Sequence, residues 1–277
     1  MSQIPEAFVK TLTYKDDSQI NLAYAALLFA EYLTQPIDLA RYLATLDEMA
    51  EMAEPVLRTA RSDIQAIQAF NYFMFDRLHF FGNERNYYYP GNSFLNQVLD
   101  TRAGIPISLS VIYLEVGWRL GLPLWGIGMP RHFIVGYGPP HHPIYIDVFN
   151  QGKLLNEDDC LNICHISPDD RLAFRSDFLQ PASKKSILFR MLVNLKHIYI
   201  DSGCWEEAYK TVELMLLIYP DQLNELKDKG LLAFRIDKLH ESIFTLNRYL
   251  FLAPKNKDTD WVEERVKILE EKLMRLN

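Results

Sequence analysis

The sequence predicts an α+β domain followed by an all-α repeat region, and three observations carry that prediction. Residues 107–120 are apolar on nearly every helical face, through Leu109, Val111, Ile112, Tyr113, Leu114, Val116 and Trp118, and a helix without a polar face lies inside a domain. Two strand-like runs follow, 131–137 and 144–149, around the turn Gly138-Pro139-Pro140-His141-His142-Pro143. Further on, Pro220 and Pro254 close two similar helical segments with a period of 34 residues.

From the N-terminus, Asp17 or Ser18 is placed to cap a helix running to about residue 33, with Ile20, Ala23, Tyr24, Leu27 and Leu28 on one face. Pro36 ends it, and Leu39, Tyr42, Leu43, Leu46, Met49 and Ala53 set up a second helical stripe. Ser62 with Gln65 is a capping-box pattern opening a third helix, which carries Ile64, Ile67, Phe70, Met74 and Leu78. These helices form a cover over the central one, and no chemistry is assigned to them. Pro106 is tolerated in the first turn of the central helix, and Gly121 and Pro123 end it. Its only charges, Glu115 and Arg119, have the i,i+4 spacing of a pair. After the second strand, Asn156 caps a short helix with Glu157, Asp158 and Asp159 in its first turn.

A boundary is expected near Gln180-Pro181-Ala182-Ser183, dividing the chain into 1–180 and 181–277. In the second part Trp205-Glu206-Glu207-Ala208 and Leu239-His240-Glu241-Ser242 occupy matching places. Period and closing prolines are those of tetratricopeptide helix pairs, although Lys196 stands where the second copy has Gly230. Val262, Val266, Leu269, Leu273 and Leu276 mark a final capping helix. So short an array is expected to lean on the domain before it, and either offers a groove to a protein or peptide partner or only braces the core.

A net charge of −7 without a basic cluster argues against nucleic acid or anionic membrane as the main partner. No apolar run reaches membrane-spanning length, and the start lacks the layout of a signal peptide. Three cysteines in such a chain read as reduced thiols, so the expectation is a cytoplasmic protein. No cofactor is expected. Cys160, Cys164 and the adjacent His165 make half a zinc site without a second ligand pair, so no metal is expected either. Gly126-x-Gly128 precedes no phosphate-binding helix.

His132 and Asp147 sit near the outer ends of the two strands. Their position numbers sum to an odd value, so any antiparallel register with an odd sum puts both side chains on one face. The segment 82–93 contains three consecutive tyrosines ending at Tyr89, then Asn92 and Ser93. It is either a surface loop wedged on the helical cover or a rim over the His132 cleft, with Asn92 supplying an amide dipole; Asn92 and Ser93 also suit a helix N-cap. Arg102 either binds an anionic group beside the central helix or forms a structural ion pair with Asp100 or a distant carboxylate.

Asn92-Ser93-x-Leu95-x-x-Val98-Leu99-x-x-Arg102-x-Gly104-Ile105-Pro106-Ile107-Ser108-Leu109, with the later Arg131-His132-Phe133-Ile134-Val135 and Ile146-Asp147-x-Phe149-Asn150-x-Gly152, resembles the bacterial SirB-one-like family. That family joins a transglutaminase-like domain of the papain type to tetratricopeptide repeats. The resemblance implies a helical cover, a buried central helix, a small antiparallel sheet and an all-α region after it. In the superfamily a nucleophilic Cys opens the helix, a His is its base and an Asp orients the His. Carried over, His132 and Asp147 are the base and its orienter, but the nucleophile's place falls at or near Pro106. Ser108 and Ser110 lie further along the helix, pointing in other directions. The expected function is therefore a catalytically lapsed transglutaminase-like protein acting as an interaction or regulatory module. The alternative is a hydrolase or acyltransferase using His132 and Asp147 with water or an unorthodox nucleophile.

Overall fold

The computed structural model describes residues 6–13, 16–164 and 176–276. It divides into two compact units, the first ending at Met191 and the second starting at Leu192. The α+β expectation holds.

In the first unit α1 (Glu6–Leu12), α2 (Leu22–Leu33), α3 (Leu39–Leu57) and α4 (Asp63–Asn71) precede the core. The cap of α2 is Asn21, whose side chain accepts from the Tyr24 N–H, and not Asp17 or Ser18, which lie in a 3-10 turn or beside it. Asp17 acts elsewhere: its carboxylate accepts from the backbone N–H groups of Lys184 and Lys185, the first residues of α8 (Lys184–Asp201). A carboxylate suits that place because the first turn of a helix leaves its N–H groups unpaired. The first turns of α8 therefore belong to the first unit, and the division falls beyond residue 180.

Asp38 caps α3, which buries Tyr42, Leu46, Met49, Ala50 and Ala53. Ser62 caps α4, and Gln65 reaches back to the Arg61 N–H. The regular spacing does not persist to Leu78: from Tyr72 to Arg77 the chain widens into a π-helical turn. Phe70 and Phe75 both meet the ring of Tyr113 there, at 4.4 and 6.3 Å. Asn71, at the junction, accepts from the Tyr113 hydroxyl and donates to Gly152 O.

Two short strands, β1 (Phe81–Gly82) and β2 (Ala103–Gly104), pair in parallel on either side of α5 (Leu95–Thr101). The central helix is α6 (Pro106–Arg119), buried without a break from Pro106 to Gly117. Its Glu115 accepts from the Ala23 N–H and pairs with Arg119, which also reaches Asp47 at 2.6 Å. The sheet is larger than the hairpin expected: β3 (Leu124–Met129), β4 (His132–Tyr137), β5 (Ile144–Asp147) and β6 (Lys153–Leu155) form one antiparallel meander in that order. The glycines of β3 hide its strand pattern in the sequence. Gly126 and Gly128 make room for Phe133 and Arg190; a Cβ on Gly126 would stand 2.7 Å from the Phe133 ring. One sheet face, with Ile127, Met129, Ile134 and Tyr145, packs on Cys160 and Cys164 of α7 (Glu157–Ile163) and the residue after it.

The second unit continues α8 through α9 (Trp205–Ile218), α10 (Leu223–Arg235), α11 (Leu239–Leu252) and α12 (Lys257–Leu276). Gly230 is the tight point of the pair α10–α11, where a Cβ would meet Leu246 at 2.5 Å. At the matching place Lys196 is buried and ion-paired with Glu225 at 3.2 Å and Asp228 at 2.7 Å. Among the described residues no helix is long and apolar enough to cross a membrane.

Candidate functional site

Val135 pairs with Ile146 across β4 and β5, a register of odd sum, so His132 and Asp147 share a face as diagonal neighbours. His132 Nε2 lies 3.0 Å from Asp147 Oδ1. The carboxylate also accepts from the Asn150 backbone N–H at 3.3 Å and from Asn150 Nδ2 at 2.7 Å. Asp147 is buried, and burial pulls its carboxyl up; the His132 hydrogen bond and charge, with the two Asn150 donors, outweigh that and hold it below the usual range. With Nε2–H donating to an ionised Asp147, the imidazole keeps Nδ1 as the nitrogen that can accept or pass a proton.

The loop after β5 closes the dyad. The Phe149 ring stands edge-on to His132 at 6.3 Å and to Tyr87 at 6.1 Å. It rests on Gly82, where a Cβ would come within 2.6 Å of the ring and 2.8 Å of Phe149 O. Gly82 in turn pairs with Gly104, two residues before Pro106. This chain of contacts runs from the dyad to the start of α6.

Of the loop tyrosines, Tyr87 is the one drawn inward, while Tyr88 and Tyr89 are exposed. Asn92 is buried, and its carboxamide is committed: it donates to Asn86 O and Tyr87 O and accepts from Asn83 Nδ2. It neither caps α5, whose N-cap is Phe94, nor presents a free dipole; it staples the tyrosine loop. Ser108 is buried too, its hydroxyl donating to Asn92 O at 2.6 Å and accepting from the Ile105 N–H. Ser110 Oγ is buried without a partner. Arg102 closes α5 in a left-handed conformation with its guanidinium 4.8 Å over the Phe80 ring. Asp100 pairs instead with Arg41 at 3.2 Å and Tyr42 at 2.6 Å, so the expected Arg102–Asp100 bridge is replaced by a cation–π contact.

Cys160 and Cys164 pack on the same sheet face as the dyad, where burial holds both as protonated thiols. Cys160 is fully buried in the apolar cluster, and burial pushes its thiol up to about 12; Cys164 is raised for the same reason. His165, the third member of the half zinc site, lies outside the described residues.

Arg190 has no place in the expected site, yet it grips it. From α8 its Nη2 donates to the main-chain oxygens of Met129 and His132, the latter at 2.7 Å. Those two carbonyls flank the turn at Pro130 and Arg131, where Arg131 takes φ 61°. The signal in the sequence was a single cation inside the apolar run 187–193. Tyr87 belongs to the segment read as a possible rim over His132, whereas Asn150 has no role in that reading, although it follows Asp147 at the three-residue spacing of a side chain folding back on its own turn.

Residues 40–193 match the model of the transglutaminase-like superfamily, and residues 195–267 match a tetratricopeptide repeat model. A UPF0162 protein of Xylella fastidiosa strain Temecula1 is 33% identical over 256 residues, 89% of each chain. F-box only protein 21 of Mus musculus is 32% identical over 196 residues, 66% of this chain and 30% of that one. Among solved structures, menin covers 94% of this chain and 72% of its own with a TM-score of 0.42 and 13% identity.

Proposed function

Since this chain belongs to the transglutaminase-like superfamily, in the branch of the UPF0162 proteins, we propose that it is a lapsed member of that superfamily. On this reading it works as a regulatory protein-interaction module, engaging a protein or peptide partner through its repeats and not forming a covalent acyl-enzyme. The observation that carries this is at the start of α6. Covalent acyl transfer needs an attacking atom beside the base, and Pro106 has none. The next hydroxyl, Ser108, is buried and holds Asn92 O and the Ile105 N–H, while the Cys160 thiol is pushed away from ionisation. Tetratricopeptide repeats generally mediate protein–protein contacts, which supports the interaction half of the reading.

A second reading keeps the dyad at work: His132, oriented by Asp147 and Asn150, activates water for hydrolysis through Nδ1. Two measurements separate them. Purified protein assayed against amide and ester substrates is expected to show no turnover that depends on a thiol. Turnover abolished by changing Cys160, Cys164 and Cys204 together to Ser, in a variant that still folds, overturns the lapsed reading. Turnover abolished only by His132→Ala makes the hydrolase the better account. For the interaction half, cross-linking of the intact chain in native extract is expected to join partners chiefly to repeat lysines such as Lys210, Lys255 and Lys257. Partner cross-links confined to Lys10, Lys153, Lys184 and Lys185 would sink it.

A further inference from the structure

We propose that the β3–β4 turn beside His132 binds an anion, with the Arg190 guanidinium holding a carboxylate or phosphate group of the ligand. The guanidinium is partly buried at the turn between β3 and β4, 5.9 Å from the Phe133 ring. Nη2 serves the carbonyls of Met129 and His132. Gly128 lets the Nη1 edge lie close on β3, where a Cβ would stand 3.3 Å from it. Among the described residues no carboxylate is ion-paired with Arg190. The polar groups that act on its charge are the Tyr87 phenol and the Cys164 thiol; burial raises both pKa values, so both are neutral. The acid of the same hairpin, Asp147, is already committed to His132 and Asn150.

A charge that is partly withdrawn from water gains more from an opposite charge than a fully exposed one does. Carbonyl dipoles satisfy two donors of this guanidinium and none of its net charge. Its remaining N–H groups, on Nη1 and Nε, can each donate singly to an oxygen of a carboxylate or phosphate. His132 belongs to the same turn, with Nε2 given to Asp147 and Nδ1 left for the ligand. Tyr87 and Phe149 supply aromatic walls around it. This inference goes beyond the function proposed above and stands whether or not the dyad turns over a substrate.

The test is a titration of the full-length, isotope-labelled chain, reading the Arg190 Nε–Hε and His132 ring signals by NMR. The probes are inorganic phosphate and a short acetylated peptide with either a free or an amidated C-terminus. Saturable binding of phosphate or of the free-acid peptide is expected, and whichever saturates identifies the source of the anion. The amidated peptide should bind about tenfold more weakly than the free acid if the carboxylate is the ligand. Arg190→Gln should weaken binding by about tenfold or more, while Arg190→Lys, which keeps the charge but not the guanidinium geometry, should recover only part of it. Because Arg190→Gln also removes the clamp on two carbonyls, a measurement without substitution accompanies it. The bound anion should slow phenylglyoxal modification of Arg190, mapped by mass spectrometry. Failure of every probe to saturate the wild type, equal affinity in a folded Arg190→Gln variant, or no protection of Arg190 would each overturn the proposal.

Discussion

At the scale of residues, Asp147 is the member of the dyad whose chemistry the fold alters. Its folded carboxyl titrates below the ordinary value of 3.8, held there against burial by His132 and Asn150. The sign follows from linkage: a depressed carboxyl stabilises the folded state fully above its unfolded pKa of about 3.9, and that contribution disappears as pH falls through the folded value. Asp147→Asn should therefore be less stable than wild type near neutrality, with the gap closing below about pH 4. Urea unfolding of both proteins at a series of pH values reads this. A gap that stays constant down to pH 3 would show that Asp147 is not held as an ionised partner of His132.

Among the elements, the short parallel pair β1–β2 matters beyond its size, because it carries the glycine on which Phe149 rests. Gly82→Ala places a methyl within 2.6 Å of the Phe149 ring and 2.8 Å of its carbonyl oxygen. The ring or the strand must shift, and overpacking of this kind costs about 1–3 kcal/mol. The expected result is a lower urea midpoint together with a displaced His132 ring signal, since Phe149 is the edge-on neighbour of that ring. Adding Phe149→Leu should recover part of the lost stability by freeing space. A Gly82→Ala protein as stable as wild type, with unmoved His132 signals, would mean that Phe149 does not brace the dyad.

For the molecule as a whole, the two units are held by different means. The first is organised around α6, whose buried stretch includes Glu115, tied to Ala23 of the cover and to Arg119. In the second, Lys196 replaces tight packing with a buried ion cluster: it reaches Glu225 and Asp228 from α8, while Gly230 lets α10 and α11 approach closely. Lys196→Ala leaves the buried Glu225 without its cation, and breaking such a pair costs about 3–5 kcal/mol. Hydrogen exchange should show the loss of protection concentrated in residues 192–277. Lys196→Met, which keeps the volume but not the charge, should be as damaging unless Glu225 is changed to Gln with it. If Lys196→Ala leaves exchange in that region unchanged, the ion cluster contributes nothing to the unit.

Local chemistry was legible in the sequence. The apolar run of α6 with Pro106 at its start, the caps at Ser62 and Asn156, the repeat period and the parity of His132 and Asp147 depend on residues close in the chain, on a fixed repeat spacing or on a two-residue alternation. Where a side chain's partner lay far along the chain, spacing said nothing. Asp17 reads as a cap for the helix beside it but serves α8, and Asn92 reads as a cap or a dipole but staples a loop. Arg190 looks like a stray cation in an apolar helix, and only docking of that helix on the sheet delivers it to His132 O. Periodicity records which face of an element is buried. Which polar group on that face finds which partner is decided when whole elements pack, because a buried charge or N–H takes whatever opposite group the tertiary fold brings within about 3 Å.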